Sequence, residues 1–173
     1  IGLFAVAFQL GYTPIGLVTG MAMNFLGPII YQRSGSAMDG ERNSYVHRVA
    51  WQFATVGLVL TFGGFVFTFF THQWIFRLLV AENYRAVSYV LPWLVLAGGV
   101  FSSGEMLALK LMSEMRPSSM ARVKISTAFI GVVLNVSGAI LFGLQGVIAA
   151  LVLFSGIYLS CMAKLAKHPP SAD

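Results

Sequence analysis

Long apolar runs separated by short polar segments dominate this chain. The clearest is the stretch from Val123 to Lys167, which has no charged side chain between Lys124 and Lys164 and is interrupted in its middle by the sequence GLQG. Each arm is long enough, or nearly so, to cross about 30 Å of hydrocarbon at a rise of about 1.5 Å per residue. We therefore predict a transmembrane helical hairpin here.

The same pattern predicts about five transmembrane helices in the whole chain. Their expected bounds are residues 1–32, 49–76, 86–111, 123–142 and 146–164. Residues 1–168 would form one transmembrane unit, and residues 169–173 a short tail. The predicted fold class is all-α, a polytopic transmembrane helical bundle.

Composition agrees with a membrane protein. The 173 residues are 57% hydrophobic and 10% charged, and the mean hydropathy is +0.79. Soluble domains average about 45–50% apolar and about 25% charged residues. The net charge of +5 would suit a nucleic-acid partner, but the basic residues are spread between apolar blocks and form no single patch. We expect a lipid bilayer and no nucleic acid as the partner.

The basic residues are distributed unequally between the two predicted sides of the membrane. One side holds nine of them: Arg33, Arg42, Arg48, Lys110, Arg116, Arg122, Lys124, Lys164 and Lys167. The other side holds only Arg77 and Arg85. Because cytoplasmic segments carry the excess of Lys and Arg, we predict a cytoplasmic C-terminus and an external position for Ile1.

The first predicted helix carries a proline and a polar face. Pro14 lacks the backbone N–H of a regular helix, so we expect a helix bend there. Small and polar residues recur at steps of three and four and share one helical face: Gln9, Thr13, Gly16, Gly20, Asn24 and Gly27. This face either packs closely against another helix through Gly16 and Gly20, or lines a hydrated cavity with the bend acting in gating. Both interpretations require partner helices.

Two polar residues lie in later apolar runs. Glu105 is a candidate proton or cation site if the membrane encloses it, because a carboxylate is costly within a bilayer. If the membrane ends near Gly104, Glu105 is an interfacial residue near Lys110. Asn135 is expected to point into the bundle, either as a structural interhelical hydrogen bond or as part of a polar wall.

The remaining candidate residues predict no catalytic chemistry. His47 falls in the polar segment from Arg33 to Arg48, where we expect a solvated loop, and no second ligand stands at metal-binding spacing. Cys161 lies alone in an apolar run and predicts no disulfide. With no nucleotide-binding or hydrolytic motif, we expect no enzyme activity, no metal and no cofactor.

Three segments carry a family resemblance. They are IGLFAVAFQLGYTPIGLVTGMAMNFLGPIIYQ, FRLLVAENYRAVSYVLPWLVLAGGVFSS and LNVSGAILFGLQGVIAALVL. In the last of these, the matching places are held by Asn135, Gly143, Gly146, Ala149 and Ala150. The chain resembles the C-terminal half of polysaccharide, or lipid-linked oligosaccharide, flippases of the multidrug/oligosaccharidyl-lipid/polysaccharide exporter superfamily.

This resemblance implies a fragment of a larger transporter. The family fold has about 12–14 helices in two lobes around a central cavity, and this chain would be part of the second lobe. The implied activity is the transfer of a lipid-linked oligosaccharide or polysaccharide precursor across the cytoplasmic membrane by alternating access, driven by an ion gradient. The implied partners are the N-terminal lobe of the same protein, the lipid-linked sugar and the polysaccharide assembly machinery.

The resemblance also implies roles for particular residues. The substrate-cavity candidates are Gln9, Thr13, Asn24 and Asn135, and the phosphate-contact candidates at the cytoplasmic mouth are Arg33 and Arg48.

The sequence departs from the family in one respect. Its sugar flippases are expected to have basic residues along the cavity, yet no Lys or Arg lies centrally in a predicted crossing. Either the N-terminal lobe supplies these basic residues, or the transported molecule is not a pyrophosphate lipid. A multidrug or cation antiporter of the same superfamily, with Glu105 as the ion-coupling residue, is therefore one alternative. A non-transporting scaffold subunit of an envelope polysaccharide complex is another.

Overall fold

The structure is a computed structural model that describes residues 2–33, 40–113 and 117–167. These residues are almost entirely helical, and no strand occurs among them. The α-helices are α1 (Gly2–Gly11), α2 (Thr13–Arg33), α3 (Gly40–Leu79), α4 (Leu91–Ser113) and α5 (Pro117–Lys167), with a 3-10 helix at Glu82–Val90 between α3 and α4. The prediction of an all-α chain is confirmed.

Four helical segments of the described chain are long and apolar enough to cross a membrane. They are Phe4–Phe25, Val46–Leu79, Arg85–Met112 and Ser118–Lys167. Their outer surfaces carry large apolar side chains, among them Phe70 at 79% exposure and Ile140 at 78%. Because a soluble protein rarely exposes apolar surface on this scale, the structure is consistent with a membrane protein.

The longest helix, α5, is interrupted at Gly143, which has φ 59° and ψ −134°. Glycine adopts this positive φ without steric cost because it has no Cβ. The two arms contact each other: a Cβ built on Gly131 would lie 2.7 Å from the Phe154 ring, and one on Gly146 would lie 2.0 Å from the carbonyl oxygen of Gly138. We call residues 117–142 the first arm and residues 144–167 the second arm of this hairpin.

The chain between residues 2 and 33 also contains an interruption. α1 ends at Gly11 and α2 begins at Thr13, just before Pro14. The Leu10 carbonyl would receive its helical hydrogen bond from residue 14, but proline has no N–H to donate. The single helix expected over residues 1–32 is therefore two helices.

The first residues of three other helices differ from the expected ones. α3 begins at Gly40 rather than at Val49, so His47 lies in a helix and not in a loop. The segment from Gly40 to Arg48 contains no proline, and its polar side chains can be solvated in helical form as well as in a loop. Residues 82–90 form the 3-10 helix, so α4 begins at Leu91 rather than at residue 86. α5 begins at Pro117 rather than at residue 123, because proline suits the first position of a helix.

Helix α4 lies at the centre of the bundle and contacts α1, α2, α3 and α5. In its most apolar window 56% of the residues are buried, against 11% in α3. Glycines on α4 permit this close packing: Gly98 lies against Tyr12, Gly99 against Thr61 and Gly104 against Tyr158. At these three positions of α4, a larger side chain would not fit without movement of the facing residue.

Two buried apolar clusters mark the two ends of the bundle. We call one the Phe76 end, where Phe76, Leu94 and Ile148 are packed together. The other is the Met162 end, where Met162 packs with Leu107, Leu111 and their neighbours. Since α4 passes through both clusters, it connects the two ends.

Candidate functional site

The carboxylate of Glu105 on α4 is held by both arms of α5. Its Oε2 accepts a hydrogen bond from Lys124 Nζ of the first arm at 2.9 Å. The Tyr158 hydroxyl of the second arm donates to Oε1. The side chain of Glu105 is 20% exposed and that of Lys124 is 39% exposed. One partly buried ion pair therefore fixes α4 against the hairpin.

This ion pair lies well inside its helices. α4 continues from Glu105 to Ser113, and α5 begins at Pro117, upstream of Lys124. At about 1.5 Å per residue, both charged groups are roughly 10–12 Å along the helix axes from the helix ends. Charges at that distance from a helix end are costly in a bilayer unless they are paired, as they are here.

Aromatic rings pack beside the ion pair. Phe101 stacks on Tyr158 with ring centroids 4.7 Å apart and lies 5.8 Å from Phe154. Tyr12, at the interruption between α1 and α2, lies 6.5 Å from Phe101. These rings lower the local dielectric constant, which strengthens the attraction between the paired charges. They also connect the Glu105 site to the proline-containing segment.

The polar face predicted on the first helix is largely uncovered in the described part of the chain. Gln9 and Asn24 are exposed, Thr13 is half-buried, and Pro14 is exposed. A Cβ built on Gly16 or Gly20 would meet no described atom within 4 Å. The part of the face from Gln9 to Asn24 is therefore not used for close helix packing within the described residues, whereas Gly27 at its end is buried.

Asn135 lies apart from that face. Its Nδ2 donates to the Gly131 carbonyl on the same helix at 2.8 Å, and its side chain is half-buried. No hydrogen bond joins it to Gln9, Thr13 or Asn24 among the described residues. The four cavity candidates thus occupy two separate places.

The arginines proposed for phosphate contact lie near the Met162 end. Arg48 is exposed on α3 and borders a shallow groove with His47 and Trp51. Lys167 Nζ lies 5.6 Å from the centre of a Trp51 ring, a cation–π contact. Arg33 is the last residue of α2, and its side chain falls outside the described residues.

Sequence reasoning missed several partners in these sites. In the sequence, Tyr158 is one residue of an apolar arm, and Lys124 counts only toward the predicted membrane topology. Lys110 is buried at 4% exposure, and its Nζ donates to the Ala166 carbonyl near the end of α5. A cation at a helix C-terminus satisfies carbonyls that have no helical donor. The signal in the sequence is that each of these residues lies inside or beside an apolar run. That position does not identify the residue it contacts.

No protein-family model, curated protein or solved structure matches this chain. The class of protein therefore follows from the fold and from the Glu105–Lys124 ion pair alone. The chain is a helical bundle with membrane-length apolar segments, and it contains a partly buried ion pair between its central helix and a glycine-linked hairpin.

Proposed function

We propose that this chain is part of a transporter lobe that helps to move a lipid-linked oligosaccharide or polysaccharide precursor across the cytoplasmic membrane by alternating access. In this proposal α1 with α2, α3, α4 and the two arms of α5 make five crossings. The C-terminus then lies in the cytoplasm, on the side with most of the basic residues.

The observation that carries the proposal is the uncovered polar face of α1 and α2. Exposed Gln9 and Asn24, with the open surfaces of Gly16 and Gly20, lie on helices otherwise apolar enough to cross a membrane. Polar amides do not face acyl chains without cost, so this face needs further helices or water against it. A second lobe across a hydrated cavity supplies both.

The physical task of a flippase agrees with this arrangement. A sugar with many hydroxyl groups must be screened from hydrocarbon, whereas its polyprenyl tail is stable in lipid. The amides of Gln9 and Asn24 would supply hydrogen bonds to the sugar. Arg48, exposed at the Met162 end, would attract the phosphate groups of the lipid carrier on the cytoplasmic side.

Thiol labelling tests whether the polar face meets water. Cys161 is the only cysteine, so Cys161→Ser gives a cysteine-free background. In the complete protein in membranes, Asn24→Cys should react with a membrane-impermeant maleimide. Val59→Cys, at an apolar position of α3 that is 66% exposed, is the matched control and should not react. Equal protection of both cysteines would contradict a hydrated cavity at this face.

A transport assay tests the cargo. Asn24→Leu should slow the flipping of a lipid-linked oligosaccharide in proteoliposomes at unchanged protein level, because the amide no longer bonds the sugar. Unchanged flipping would contradict the role of this face. Normal envelope polysaccharide assembly by a variant that cannot flip the lipid would instead support a scaffold subunit.

The Glu105 ion pair favours a second candidate function, an ion-coupled antiporter of small organic molecules. A carboxylate roughly two turns inside a helix, paired with one lysine, can exchange that partner for a proton or another cation. Glu105→Gln would then abolish substrate-dependent ion movement while the protein stayed folded. Retained ion coupling in that variant would exclude Glu105 as the coupling residue.

A further inference from the structure

The Phe76 end contains a small polar pocket between the end of α3 and the 3-10 helix. It is lined by Gln73, Arg77, Arg85 and Ser88, and its volume is about 240 Å³. Since one water occupies about 30 Å³ in the liquid, the pocket has room for a small oxyanion with a few waters. All four lining side chains are polar.

The pocket brings together the two basic residues that the charge pattern places on the side poor in Lys and Arg. Arg77 lies in the last turn of α3, and Arg85 lies in the 3-10 helix. Arg85 forms an ion pair with Glu82 at 3.0 Å, whereas Arg77 has no ion-pair partner in the part of the chain that is described. Two guanidinium groups and one carboxylate leave a net positive charge beside the pocket.

One hydrogen-bond donor of a residue that lines this pocket has no acceptor among the described residues. Arg85 uses one terminal nitrogen for Glu82, but its Nε is buried and has no partner among the described residues. A buried donor without an acceptor is unfavourable, and a bound acceptor removes that cost. This unpartnered Nε belongs to a residue that lines the pocket, so a bound acceptor that reached it would remove the cost.

Ser88 adds a positioned hydroxyl to the pocket. Its side chain is buried at 7% exposure, and its Oγ lies 3.1 Å from His72 Nδ1. With the proton on Nδ1, the imidazole donates to Oγ and leaves the hydroxyl hydrogen for another acceptor. In that tautomer, the histidine holds the serine as a donor at the pocket wall.

We propose that this pocket binds an oxyanion of the phosphate class. Guanidinium groups match the geometry of phosphate oxygens, and Ser88 and the Gln73 amide supply further donors. The source is either the phosphate of a lipid headgroup or free phosphate, since the pocket lies where a membrane-length helix ends. This site lies at the opposite end of the bundle from Arg48 and does not depend on the proposed transport function.

Binding measurements with two probes test the site. The full chain is purified in maltoside detergent without phosphate buffer. One arm measures binding of radiolabelled inorganic phosphate by equilibrium dialysis, and the other measures binding of dihexanoylphosphatidic acid by calorimetry. Saturable binding of inorganic phosphate assigns the pocket to a free anion, and binding of the phosphatidic acid alone assigns it to a lipid headgroup.

Matched arginine variants locate the binding. Arg77→Gln and Arg85→Gln should each weaken binding by about tenfold or more, as expected for loss of a charge-assisted hydrogen bond. Arg122→Gln, an exposed arginine of α5 near the Met162 end, should change the affinity by less than about twofold. If Arg85→Gln fails to fold, Arg77→Gln still decides, because Arg77 is exposed and holds no ion pair in the described chain.

Two results would overturn the proposal. One is the absence of saturable binding of either probe by the unaltered chain. The other is a loss of affinity in Arg122→Gln as large as in Arg77→Gln, which would show a general attraction of anions to a basic protein.

Discussion

Two pairs of glycines in this chain have different surroundings. Gly138 and Gly146 meet backbone to backbone in the α5 hairpin. Gly16 and Gly20, at the spacing typical of helix contacts, have no described atom within 4 Å of a built Cβ. Small residues at helical spacing therefore permit close approach, and a partner helix decides whether it occurs.

The difference follows from the distance along the chain to the partner. Gly143 reverses the chain between Gly138 and Gly146, so the second arm is brought against the first by a local turn. The face with Gly16 and Gly20 needs a helix from elsewhere, whereas α4, the main neighbour of α2, packs on another side. The open face is the one available to a further helix.

The largest expected effect on stability comes from adding a side chain where two glycine backbones are in contact. Gly146→Val should lower the free energy of unfolding by roughly 3 kcal/mol, because its Cβ would overlap the Gly138 backbone, which cannot rotate away. The measurement is reversible unfolding in mixed micelles. Gly156→Val in the same arm is the control, since a Cβ there meets no described atom within 4 Å. Equal destabilisation by both would contradict the backbone contact.

A smaller effect is expected where the obstacle is a side chain. Gly99→Ala places a Cβ 2.6 Å from the Thr61 Cβ and should cost about 1–2 kcal/mol of unfolding free energy. Its neighbour provides the comparison: Gly98→Ala meets the Tyr12 ring at 3.2 Å, which a small ring movement relieves. Thermal unfolding midpoints should therefore fall further for Gly99→Ala. The reverse order would argue against the contact between α3 and α4 at Thr61.

The ion pair between Glu105 and Lys124 tests whether electrostatic attraction, in addition to glycine packing, holds the hairpin against α4. A double-mutant cycle of Glu105→Gln and Lys124→Met should give a coupling energy of about 1 kcal/mol, since both side chains are partly exposed. Unfolding of the four proteins in micelles measures it. A coupling energy of zero would mean that the hairpin docks on α4 through apolar contacts alone.

The smallest effect is expected at the open face. Gly16→Ala in the isolated chain should leave the stability unchanged or raise it by less than about 1 kcal/mol, because alanine favours the helix and meets no described neighbour. If the complete protein is the proposed transporter and another helix approaches this face, Gly16→Leu should reduce its activity. A clear loss of stability in the isolated chain would show that the face is already covered.

Much of the fold could be predicted because helices in lipid are determined locally. Backbone groups in hydrocarbon must form hydrogen bonds within their own segment, so long apolar runs specify helices. The start of α3 at Gly40 was missed because polar residues carry helical and loop signals of similar strength. The 3-10 helix at Glu82–Val90 is also not predicted, because nine residues are too few to separate a short helix from a connector or from the apolar run that follows.

The candidate sites were much less predictable. Glu105 was recognised from its isolation in an apolar run, but its partners Lys124 and Tyr158 lie in other helices. Arg77 and Arg85 were counted as loop charges, and only the fold shows that they border one pocket. Contacts of this kind depend on how each helix is rotated and docked in the bundle. The spacing of residue types along a single sequence does not specify that rotation.

By itself, the sequence determined an all-helical chain with membrane-length apolar segments, and it supplied the glycine at position 143 and the proline at position 14, where the helices are interrupted. The tertiary structure decided which glycine face is packed, which charges are paired and which donors remain without acceptors. The physical reason is that helix formation is governed by hydrogen bonds four residues apart. Docking instead depends on shape and charge over the whole bundle.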